Sequence, residues 1–136
     1  MPKTTISPSK ISDGVTLYYI NDTKYKTNYV NLYFSLPLTE ENATKASLAA
    51  KVLKRGSKSY PTMASLNAAL DMDYAATLGF SAFKEGEKTV FAMSLATMKN
   101  EYTPDGDDVF GKALDIAFDA LFNPLTVYGA FKAVYF

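Results

Sequence analysis

Histidine and cysteine are both absent from the 136 residues. Without imidazole or thiol the chain by itself cannot run catalysis that depends on either, and it can form neither a disulfide framework nor a thiolate metal site. Lack of cysteine fits a reducing compartment. Charge of one sign is also missing. Lys plus Arg and Asp plus Glu both number 14, so no global field draws the chain to nucleic acid, to an anionic membrane or to a strongly acidic substrate. No apolar run has the length of a signal-peptide core or of a membrane span. These absences predict a cytoplasmic chain with no membrane partner, argue against nucleic acid as a partner, and leave affinity to local features.

What is present is the composition of a folded domain, 48% hydrophobic and 14% aromatic. A chain of this length buries roughly two-thirds of its unfolded surface, enough for one core. Residues 1–10, with Pro2 and Pro8, read as an extended N-terminal arm, and residues 11–136 as a single domain. Residues 15–20 fill both alternating phases, which predicts a strand covered on both faces or at an aromatic edge. Residues 28–36 alternate again, end at Pro37, and read as the antiparallel neighbour of that strand.

From Thr39 the period becomes helical through Ala43, Ala46, Ala49, Ala50 and Leu53, closed by Gly56. Pro61-Thr62 opens a second helix through Leu66 and Leu70, after which residues 71–74 return to extended structure. Residues 75–83 and 89–98 predict two strands joined by a Gly86-containing hairpin loop. The acids of residues 105–108 open a last helix with the stripe Val109, Phe110, Ala113, Leu114, Ala117, Phe118 and Leu121, ended by Asn123-Pro124. The order β-β-α-α-β-β-α predicts an α+β fold: a mostly antiparallel sheet of four or more strands with helices packed on one face. The tail at residues 127–136 is apolar and lacks a polar close, so the chain reads as an N-terminal fragment of a larger multi-domain protein.

Within this order stand Gly56-Ser57-Lys58-Ser59-Tyr60-Pro61 after the first helix, Leu70-Asp71 before a strand, and Phe122-Asn123-Pro124-Leu125 after the last helix. Together they resemble the pitrilysin/insulinase (inverzincin) zinc metallopeptidases, which include the subunits of the mitochondrial processing peptidase. Val52-Leu53-Lys54-Arg55-Gly56, Tyr74-Ala75-Ala76-Thr77-Leu78 and Gly129-Ala130-Phe131 are most similar to non-catalytic bacterial members of the YfmF type.

The resemblance implies a LuxS/processing-peptidase-like metallopeptidase fold, here truncated. Active members carry H-x-x-E-H on the first helix, two His one turn apart for zinc and a Glu acting on water. Counted back from Gly56, those positions are Ser47-Leu48-Ala49-Ala50-Lys51. The resemblance therefore implies a degenerate site at Ser47, Ala50 and Lys51, with no catalytic residue, no metal and no cofactor, zinc being expected only in an active relative or partner. It further implies a non-catalytic domain serving as partner subunit of a zinc-containing homologous peptidase, or as one wall of a peptide-binding chamber with further domains of the same protein. A peptide substrate would add along residues 75–83, at Ala76, Leu78, Phe80 and Ala82. Two other readings stay open: part of a zinc-dependent peptidase whose active site lies in another domain or chain, and an independent peptide- or RNA-binding module.

Local features each have a simpler reading. Lys51, Lys54, Arg55 and Lys58 form a basic patch that suits phosphate, RNA or an acidic surface, yet cations also complement a helix C-terminus. Asp105, Asp107 and Asp108 lack the Gly and closing Glu of a calcium loop and fit a helix start instead. Asp71 and Asp73 beside Tyr74 suit an acid-base pair or, more simply, helix termination. Tyr18, Tyr19, Tyr29, Tyr33 and Phe34 would stack bases only with basic interleaving, which is missing.

Overall fold

In a computed structural model, residues 6–127 and 130–131 are described. The order of elements is β1 (Ile6–Ser12), β2 (Val15–Ile20), β3 (Thr27–Pro37), α1 (Glu40–Val52), α2 (Met63–Met72), β4 (Thr77–Glu85), β5 (Lys88–Met98), α3 (Val109–Phe122) and the short pair β6 (Thr126–Val127) and β7 (Ala130–Phe131). The fold is α+β with antiparallel pairing throughout.

The sheet differs from the four-stranded one predicted. β3, β5 and β4 form a three-stranded sheet in that order, while β1 and β2 form a separate hairpin. β3 does not pair with β2. Its partner is β5, in a ladder that runs unbroken from Thr27 opposite Met98 to Pro37 opposite Lys88. Two strands of 11 residues match along their whole length, which the six residues of β2 cannot offer. β2 instead takes residues 6–12, so the first ladder starts ahead of Ile11. Pro8 lies opposite Tyr18 in that ribbon, where a missing N–H is tolerated because a two-stranded ribbon is all edge.

Register aligns three rows of three side chains on one face of the sheet. Val30, Leu95 and Leu78 form one row, Leu32, Met93 and Phe80 the next, Phe34, Phe91 and Ala82 the third. All three α-helices cover this face. Leu66 and Leu70 of α2 and Ala113, Ile116, Ala117 and Ala120 of α3 pack on the first two rows. Ala46 of α1 and Leu53, just after it, pack on Phe91. Burying a Leu or Met is worth about 1.5–3 kcal/mol each, so these rows hold the molecule together.

The buried stripe of α3 keeps Val109, Ala113 and Ala117 of the predicted one, with Leu114 and Leu121 against the core, and adds Ile116 and Ala120. Small residues face inward and bring α3 close to α2 and the sheet, while Phe118 and Phe122 lie outside with ring centroids 5.9 Å apart. α2 also runs further than predicted, to Met72, and residues 73–75 form a turn in which Tyr74 and Ala75 both take φ of +56°.

Candidate functional site: the first helix and the edge strand beside it

α1 begins where the Thr39 side chain accepts the N–H of Asn42 at 3.0 Å, with Glu40 and Glu41 in the first turn. The Asn42 side chain donates to the Pro37 carbonyl at 2.9 Å and so ties the helix start to the end of β3. Glu41 pairs with Lys45 in the open, and that hydrogen bond holds the Glu41 carboxyl below its ordinary range. Alanines at 46, 49 and 50 let the helix lie close over β4 and β5.

The five motif positions fall on α1 with two faces. Ser47 and Lys51, one turn apart, are exposed and line a shallow concavity with Ala43, Thr44 and Leu48. Ala50 is half-buried against the cluster around Phe91. The outer face thus offers a hydroxyl and an ammonium where a metal needs lone pairs. Among the described residues no group of three or more carboxylates or other ligands could hold a metal ion, the acids at 105, 107 and 108 included.

Asp107 and Asp108 have other partners. Asp108 caps α3, accepting from the Gly111 N–H at 3.0 Å and from Asn100 Nδ2 at 3.1 Å, while Asn100 Oδ1 accepts the Phe110 N–H. Asp107 accepts from the Tyr74 hydroxyl at 2.9 Å, which raises the phenol above its ordinary value. Asp73 is buried with Oδ2 lacking a partner, and burial pushes its carboxyl up against the opposing pull of Lys112. Asp71 is exposed, and the charges that act on Asp73 are those of Lys112, Asp108 and Asp107 rather than its own.

β4 forms one edge of the sheet. Ala76 and Leu78 are buried, and Phe80 and Ala82 are half-buried under the helices, so these four side chains serve the core. What β4 turns outward is its unpaired row of backbone N–H and C=O groups. Lys51, Lys54, Arg55 and Lys58 are all exposed along the run that leaves α1, and none joins an ion pair among the described residues. The aromatic residues form no single platform. Tyr29 and Tyr33 stand on the open face of the sheet, Phe34 meets Phe91 at a tilt on the other, and Tyr18 and Tyr19 point to opposite faces of the hairpin.

A buried clamp was missed by sequence reasoning. Ser57, fully buried, donates its hydroxyl to Asp119, whose carboxylate also accepts the Ser59 N–H at 3.2 Å. The Lys58 N–H donates to the Asn123 carbonyl at 2.9 Å, and Ser57 bridges to Pro124. The Gly56-Ser57-Lys58 turn and the Asn123-Pro124 corner, distant in sequence, therefore hold each other. Gly56 is required there. Its φ is +154°, and a Cβ would sit 2.9 Å from the Pro61 backbone. One signal was available: an acid in the last turn of a helix opposes the helix dipole and needs a local donor.

Over 124 residues, 90% of its length, the chain is 32% identical to a probable inactive metalloprotease, YmfF, from Bacillus subtilis (strain 168). That relative is inactive and metalloprotease-like, as the resemblance implied. A crystal structure of a conserved protein from Enterococcus faecalis V583 superposes with a TM-score of 0.89 at 28% identity, over 96% of this chain. The chain spans 29% of the curated relative and 30% of the crystallised one. No family model matches it. Among the described residues no helix is long and apolar enough to cross a membrane.

Proposed function

We propose that this chain is a non-catalytic metallopeptidase-like domain of the pitrilysin/insulinase kind, acting as partner subunit of a zinc-bearing homologue or as one wall of a peptide-binding chamber. The observation that carries the reading is the outer face of α1. Ser47 is a poor zinc ligand, Ala50 is none, and a protonated Lys51 repels the ion. Similarity to a probable inactive metalloprotease supports it. For the peptide, the chain supplies the free edge of β4, where main-chain hydrogen bonds to an added strand give affinity without chemistry.

The test uses the intact chain. Metal analysis after dialysis is expected to find no stoichiometric zinc, and unstructured fluorescent decapeptides are expected to bind equally with and without a chelator. Stoichiometric zinc, or peptidase activity that a chelator abolishes, would sink the reading. Zinc found instead in a homologue that copurifies with the full-length parent protein favours the partner-subunit form of it.

A further inference from the structure

At the start of β4 lies a second concavity of about 320 Å³, near the lower limit for ligand pockets, which run from roughly 300 to 1,000 Å³. Lys54 reaches it from the turn after α1, Asn67 and Asp71 from one face of α2, and Ala75, Ala76 and Thr77 from the run into the strand. Asn67 and Asp71 are one helical turn apart, and both are exposed, as is Lys54. Among the described residues neither Lys54 nor Asn67 makes a side-chain hydrogen bond or ion pair. A cation and a carboxamide therefore stand uncommitted at one end of an open strand edge.

Direction decides what would meet them. Every pair in the sheet is antiparallel, and antiparallel pairing outnumbers parallel roughly two- to three-fold in general. A strand added to β4 in the same sense enters at Glu85 and leaves at Thr77, so its C-terminus arrives at the concavity. We infer that this concavity receives the free C-terminal carboxylate of an extended peptide, with Lys54 and Asn67 donating to it. The inference rests on the peptide-binding reading above. Asp71 lies on the same rim and opposes the incoming charge, which gives the site a sign that can be measured.

The experiment is fluorescence anisotropy on the intact chain, with the same unstructured peptides prepared as free acids and as C-terminal amides. Free acids are expected to bind about three- to tenfold more tightly, the range between an exposed ion pair and a charged hydrogen bond. Lys54→Gln should remove the difference, and Asp71→Asn should widen it. Both side chains are exposed, so neither variant threatens folding. Equal binding of acid and amide, or a difference that survives Lys54→Gln, overturns the inference and leaves the edge-strand reading standing. Binding of neither peptide overturns both.

Discussion

Ser57 and Asp73 show what a buried polar side chain does with and without a partner. The Ser57 hydroxyl donates to Asp119 and accepts the Tyr60 N–H at 3.2 Å, so Ser57→Ala strips a donor from a carboxylate and an acceptor from a backbone amide. A loss of about 1–3 kcal/mol is expected, read as a lower denaturant midpoint at unchanged slope. A variant that unfolds at the wild-type midpoint would show the clamp to be idle. Asp73 is the opposite case. Burial raises its carboxyl above the ordinary 3.8, so the folded chain holds a proton that the unfolded chain has released. Stability therefore falls as pH rises from that ordinary value through the raised one, and Asp73→Asn should flatten the fall. Denaturation series across the acid range check this, and equal slopes in both proteins would refute it. The absence of histidine and cysteine was legible in the sequence, because an absent residue type needs no coordinates. The clamp was not, since Ser57 and Asp119 meet only through the packing of α3 on the turn.

Among the elements, the β1–β2 hairpin stands apart. Ile6, Leu17, Tyr18, Tyr19 and Ile20 are 49 to 66% exposed, so they bury little and stabilise little. Leu17→Ser or Tyr18→Ser is expected to shift stability by less than about 0.5 kcal/mol, while Leu66→Ala costs about 2–5 kcal/mol. Thermal melts of the three variants check the contrast, and a large loss from either hairpin change would show that it packs on the core. Helical and strand periodicity made α1, α2, β4 and β5 legible within a few residues. The pairing of β2 was not legible, because alternation says that a strand exists and says nothing of its neighbour. One position on α3, Phe118, was misread for a related reason. Phe118 outweighs Ala120 in any hydrophobic pattern, yet close packing of two helices selects the smaller side chain.

For the whole molecule, β3 and β4 close the sheet at neither side. Long unpaired edges invite other chains, and natural proteins cover or charge them. Here β4 carries Lys84 and Glu85 at one end and has α1 packed beside it, whereas β3 runs through Tyr29, Tyr33 and Phe34. That the helices would pack on one face of an antiparallel sheet followed from the predicted fold. That Ala76, Leu78, Phe80 and Ala82 would point under the helices did not, because a strand's two faces look alike when both are apolar.

The clamp between the Gly56-Ser57-Lys58 turn and the end of α3 sits apart from the outer face of α1, and none of its bonds involves Ser47 or Lys51. Exchanging either of those two side chains breaks no bond of the clamp, so the surface of the helix can change while the joint beneath it stays whole.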